Sequence, residues 1–218
     1  MPDGDPTVRT DEGRIRWRRA GAMFGAAAAA GAVLMILTAQ GILAAQFAIS
    51  GVPFTVTASQ LNGTGFEQFG SFDQMAPNSP NASNCLGASP ANQGNCGGTV
   101  LVAVSAIKSA TLADLCQSVN LGGTNLKITA GSGGHPVQAS QLVVDSDLLQ
   151  GDATFNNIVI GQDPSTFTED PGVTGPLGDF GQEADSVTIT NLRQDNFATT
   201  AATFSLPGLT LGFSGTGC

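Results

Sequence analysis

Apolar residues recur in this chain at intervals of five. Val56 is followed by Leu61 and Phe66, Val102 by Ile107 and Leu112, and Val187 by Leu192 and Phe197. A fourth copy, Val144, Leu149 and Phe155, carries one inserted residue. The copies start 46, 42 and 43 residues apart along the chain, a spacing typical of tandem structural units. Two of them open with strict alternation, Phe54-Thr55-Val56-Thr57-Ala58 and Val187-Thr188-Ile189-Thr190, the period of a half-buried strand. Polar segments such as Asn62-Gly63-Thr64-Gly65 and Gln150-Gly151-Asp152 interrupt the apolar pattern, so the unit reads as strand, turn, strand. The best helical stretch, Ala110 to Val119, contains Thr111, Cys116 and Val119 and reads as a short turn or strand instead. The predicted fold is all-β: tandem strand-turn-strand repeats forming a curved sheet, a sandwich or a solenoid-like layer.

One segment departs from this pattern. From Ala20 to Ala45 there is no charged residue, and as a helix this run reaches about 39 Å, enough to cross a hydrocarbon core of about 30 Å. Arg9, Arg14, Arg16, Arg18 and Arg19 precede it, which assigns residues 1–19 to the cytoplasmic side. Residues 20–45 then form one amino-terminal transmembrane or signal helix, and residues 46–218 an extracytoplasmic β domain. Ala44 and Ala45 supply small residues near a cleavage point without a clean A-x-A, while the length of the run favours a retained anchor. The expected location is the cell membrane with an exterior domain, or the outside if the segment is cleaved.

Charge narrows the partners. The chain carries eight Lys plus Arg against 17 Asp plus Glu. Beyond Gln46 only Lys108, Lys127 and Arg193 oppose 13 acids. A nucleic-acid backbone would be repelled. All four cysteines, Cys85, Cys96, Cys116 and Cys218, lie in the exported part, where an even number signals disulfides. Three connectivities are open. The ten-residue stretch between Cys85 and Cys96 favours a local bridge, which leaves Cys116 to tie down Cys218. No C-x-x-C occurs and the single His135 is distant in sequence, so no metal or cofactor is expected.

Candidate chemistry is sparse. Serine hydrolysis needs a nucleophile, a base and an oxyanion hole held together, and no G-x-S-x-G elbow is present. Gly131-Ser132-Gly133-Gly134-His135 is the nearest approach, but adjacent residues in a Gly-rich turn rarely converge, and a hairpin loop is the better reading. Asp145 and Asp147 alternate onto one face of a strand, with Asp152 just beyond, as acid-base work or Ca²⁺ binding would require. A solvated, charge-protected strand edge explains them more simply. The acidic loop with Asp163, Glu169, Asp170 and Asp179 reads as solvated. No catalytic residue is assigned. Two long loops, residues 70–98 and 162–182, separate the repeats.

Two non-enzymatic roles remain, and they differ in the fate of the apolar face. Phe54, Val56, Val144, Ile158, Ile160, Ile189 and Leu211 could line a groove that shelters a lipid. Alternatively they close into a dry core, the default for a β domain. The second alternative is the favoured expectation, with a structural or binding role in the cell envelope.

Several stretches also resemble an uncharacterised actinobacterial exported family. They are Gly63–Gly70 (GTGFEQFG), Ser105–Ser118 (SAIKSATLADLCQS), Gly151–Gly161 (GDATFNNIVIG), Ala184–Leu192 (ADSVTITNL) and Ala198–Phe204 (ATTAATF). The resemblance implies one apolar amino-terminal segment, a β-rich exterior domain and a small multi-spanning membrane protein as partner. Some members bear an automatic cholesterol esterase label, but no catalytic residues come with the family. Relative to it, the Cys85 and Cys96 pair is an addition, so Cys116 with Cys218 is the better supported bridge.

Overall fold

Four long strands bond to one another in a ring, and everything else hangs from it. The computed structural model describes residues 48–76, 79–82, 98–169 and 173–218. In chain order the strands are β1 (Phe54–Gln74), β2 (Thr99–Ala113), β3 (Leu115–Asn120), β4 (Asn125–Ala130), β5 (Val137–Asn156), β6 (Val159–Gln162), β7 (Gly181–Thr200), β8 (Thr203–Ser205) and β9 (Thr210–Ser214). β1 pairs with β2, β2 with β5, β5 with β7, and β7 with β1 again, all antiparallel. β3 continues β2 along the edge of β1 and carries β4 and then β9 outward. β6 lies on β7 and β8 on β5. The fold is all-β, as expected. The apolar segment 20–45 and the pair Cys85 and Cys96 lie outside the described residues.

The four five-residue repeats fall one on each strand of the ring. They are therefore single long strands, not strand-turn-strand units, and they do not stack as a solenoid. Asn62-Gly63-Thr64-Gly65, expected as a turn, runs through the middle of β1, and Gln150-Gly151-Asp152 through β5. What interrupts the pattern is a bulge. An odd spacing of five would send alternate members of each repeat to opposite faces. Within two repeats a left-handed residue restores the phase by letting the strand step over one position, Gly65 between Leu61 and Phe66 and Asn191 between Val187 and Leu192. Val102 and Phe197, by contrast, do turn to the opposite face. Left-handed residues occur at Gly65, Asp114, Gln141 and Asn191, with φ of 65°, 52°, 47° and 55°. Each precedes a buried side chain, respectively Phe66, Leu115, Leu142 and Leu192. The ladders skip these sites: Thr64 pairs with Ser109 and Phe66 with Ile107, passing over Gly65 and Lys108.

The resulting curl is severe. β1 has 21 residues, about 70 Å of contour if straight. Ile49 bridges Met75, just beyond the end of β1, while Ile49 and Phe54 are separated by at most about 18 Å of chain. The strand thus starts and finishes within about 25 Å of itself, counting one interstrand spacing. Coiling of this degree allows only four strands to enclose a core, which contains Val56, Leu61, Phe66, Ile107, Leu142, Val144, Ile189 and Leu192. Gly63 is part of that fit: a Cβ there would stand 2.6 Å from Ile107 Cγ2. The opposite face of the same strands forms a second core from Phe69, Val100, Val102, Val104 and Phe197, capped by Ile49 and Met75.

Cys116 on β3 bonds to Cys218, with Cα atoms 5.9 Å apart. Cys116 sits between Thr57 of β1 and Thr129 of β4, and the Cys218 N–H donates to Ser118 Oγ at 2.9 Å. The bridge pins the chain after β9 back to the sheet.

Two outcomes are expected in urea unfolding. Asn191→Val, which forfeits tolerance of positive φ, should cost about 1–3 kcal/mol, whereas Asn191→Gly should change stability by less than about 1 kcal/mol. Cys116→Ser or Cys218→Ser should cost about 2–5 kcal/mol, because the bridge closes a loop of roughly a hundred residues in the unfolded chain.

Candidate functional site

The ring encloses a cavity of about 30 Å³. Its walls are apolar, built from Leu61, Phe66, Ile107, Leu142 and Ile189, and one side is polar, with Ser105, Gln194, Asn196 and Thr199. The bulges dictate this. Once the phase steps at Asn191, residues Leu192, Gln194 and Asn196 alternate onto the same inward face. A row of polar groups approaches from β1 and β7. Gln182 Nε2 donates to Gln68 Oε1 at 2.6 Å, and Gln68 Nε2 donates to Ser105 Oγ at 2.8 Å. Opposite, Asn196 is 1% exposed, and its Oδ1 and Thr199 Oγ1 have no hydrogen-bond partner among the described residues. Leaving such an atom unsatisfied costs about 1–3 kcal/mol.

Size decides what this site can hold. About 30 Å³ admits a water or two, since one needs about 10–15 Å³. Pockets for drug-sized ligands run to roughly 300–1,000 Å³. Amide and hydroxyl groups can orient a small polar guest, but they supply no base. Gln68, Ser105, Gln194 and Asn196 carry no mark in the sequence, where polar residues of a regularly alternating strand read as outward-facing.

The seven apolar residues expected to line a groove do not form one. Val56, Val144 and Ile189 are buried in the core of the ring and border its cavity, with Phe54 and Ile158 packed against that core. Ile160 and Leu211 are 65% and 60% exposed. They lie on β6 and β9, the first and last strands of the sheet order, so no single surface unites all seven.

The carboxylates regroup as well. A register shift between Ser146 and Leu148 breaks the alternation that would place Asp145 beside Asp147. Asp147 is exposed, and Asp152 accepts from Asn191 Nδ2 at 2.9 Å on the surface. Asp145 is instead half-buried between Val104 and Ala198 in the ladder, on the side of the second core. Burial, with the neighbouring Asp73 charge adding to it, raises the Asp145 carboxyl to about 7. Burial also raises that of Asp73, whose Oδ2 has no hydrogen-bond partner among the described residues. The expectation of a solvated edge fails for Asp145 because the strand's second face is covered. In the acidic loop, Asp163 caps a short 3-10 turn, accepting from Ser165 N at 3.0 Å, Ser165 Oγ at 2.8 Å and Gly178 N at 2.9 Å. These bonds hold its carboxyl below the usual range. No cluster of three metal-ligating side chains occurs among the described residues.

Ser132 and His135 are both exposed in the turn between β4 and β5. Their recorded contact is through the backbone, His135 N–H to the Ser132 carbonyl at 3.4 Å. It aims no imidazole at the hydroxyl.

The Asp145 environment has a measurable consequence. Between pH about 4 and 7 the folded chain keeps a proton that the unfolded chain has released, so stability falls as pH rises through that window. Asp145→Asn is expected to flatten this slope and to raise unfolding free energy at pH 8 by about 2 kcal/mol, measured by denaturant titration across pH.

A family model described as a family of unknown function (DUF6230) matches residues 50–218, a span that takes in every strand of the sheet. No curated protein and no solved structure matches the chain. A match over that span makes the chain a member of this family of unknown function.

Proposed function

We propose that this is an exported cell-envelope protein, tethered to the membrane or released from it, with a structural or binding role and no reaction of its own. The observation that carries the reading is the filled ring. Its long strands close on a core whose cavity of about 30 Å³ joins amides and hydroxyls to apolar walls, without a nucleophile and base brought together. The disulfide Cys116–Cys218 fits an oxidising exterior. The uncharged run Ala20–Ala45, with five arginines before it, supplies the tether and the orientation. A multi-spanning membrane protein is the partner in this proposal.

A carrier of lipid or another hydrophobic ligand is the second reading, favoured by the apolar walls of the cavity and opposed by its volume. In native mass spectrometry the purified protein is expected to appear at its chain mass alone; a copurifying lipid would transfer the assignment to the carrier. Crosslinking in intact cells tests the main reading. A multi-spanning membrane protein should be recovered with the chain, and an impermeant maleimide should label it only after reduction. Labelling that requires cell lysis would place the domain inside and end the proposal.

A further inference from the structure

The outlying sheet β3–β4–β9 has one apolar face that nothing in the domain covers. Directly paired residues share a face, so Val119, Leu126 and Phe213 form one row, and Gln117, Ile128 and Leu211 form the next. Phe213 is 74% exposed, Leu211 60%, Leu121 54% and Leu209 53%. Leu211 and Phe213 alternate along β9, the last strand of the sheet order, so both project to the same side, and Leu209 stands just before that strand. β9 reads Thr-Leu-Gly-Phe-Ser, with none of the charge or proline that usually guards an edge.

The charge of the domain is arranged around this surface. β3, β4, β8 and β9 contain no acid and a single cation, Lys127. Although 13 acids follow Gln46, none lies between Asp114 and Asp145 or after Asp195. Of the three acids that bound these stretches, Asp114 and Asp195 are tied to β1 hydroxyls, to Ser59 and Thr55 respectively. Of the other exposed apolar side chains, Ile160, Leu177 and Phe180 are interleaved with Asp163, Asp179 and Glu183 in sequence, and Phe72 and Leu101 pair across β1 and β2 next to Asp73. The β3–β4–β9 face carries exposed apolar side chains and its strands contain no acid.

We propose that this face is a lipid-contact surface: Leu209, Leu211 and Phe213 enter the headgroup and acyl boundary of a bilayer. The proposal rests on the membrane reading above and adds the part of the exterior domain that touches lipid. Size favours lipid over a second copy. Four side chains exposed to this extent present roughly 400–500 Å². Two such patches together fall short of the roughly 1,200–2,000 Å² of a stable interface. A second copy would also bring its own excess of acids, whereas a bilayer accepts small apolar protrusions.

The test uses the full chain with Trp17→Phe, which removes the single native tryptophan, combined with either Phe213→Trp or Phe180→Trp. Both phenylalanines are mostly exposed, so neither change disturbs packing. The proteins are reconstituted in phosphatidylcholine vesicles whose acyl chains carry bromine. The expected result is about threefold quenching with a blue shift for the probe at 213, and emission like that in brominated-lipid-free vesicles for the probe at 180. Equal, unquenched emission from both would overturn the proposal. So would a blue shift at 213 that grows with protein-to-lipid ratio without quenching, the sign of a second copy. Retention in the vesicles after an alkaline wash is scored separately. Protein that is lost in the wash refutes the tether, and quenching on mixing it with fresh vesicles then decides the lipid face alone.

Discussion

Closure of the main-chain hydrogen-bond ladder around only four strands is the constraint from which the rest follows. A strand with two bonded neighbours exposes no edge, but a ring this small demands strands that are long, staggered and strongly curled. β1 shows how this is achieved. Residues 60–69 fall within its ladders with both β2 and β7, whereas 54–58 pair with β7 and 70–74 with β2. Each strand therefore passes from one neighbour to the next along its length. The left-handed residues at positions 65, 114, 141 and 191 provide the local bends, and the buried residue following each one fixes the phase.

The same bends explain what the sequence made legible and what it concealed. The repeat of five marked the four strands of the ring because Val, Leu and Phe at those positions are the core. Its odd period contradicts a flat strand: bulges at Gly65 and Asn191 absorb it, and at Val102 and Phe197 the side chain passes to the second core instead. The bulges have a weak local signal: Asp114 and Asn191 are polar residues that tolerate positive φ, each set immediately before a Leu. The tetrapeptide Ala-Ser-Gln-Leu occurs at both 58–61 and 139–142, and only its second copy has the Gln at positive φ. The order of the strands around the ring was not legible, since antiparallel neighbours far apart in sequence leave no local trace.

The polar interior was obscured for a related reason. Gln194 and Asn196 look outward if alternation is counted from Val187, and inward once the step at Asn191 is included. Asp145 and Asp147 lose their shared face through the register shift between them. The expected partnership of Cys116 with Cys218 did survive, because a covalent constraint does not depend on strand phase. The seven residues of the supposed groove divide between core and edges. Side-chain chemistry placed them in β structure, but only topology could say that β6 and β9 lie at opposite ends of the sheet order.

The seam between β1 and β7 joins segments more than a hundred residues apart, from Phe54 with Asn196 to Phe69 with Gly181. Such a fold cannot assemble from its beginning as the polypeptide emerges. Until the last long strand arrives, the first offers an open row of amides and carbonyls beside unburied Val, Leu and Phe. Acquisition of shape is therefore a late, all-or-none event with a high loop-closure cost and slow kinetics. In the interval the nascent molecule is a ready template for sticking to its own siblings.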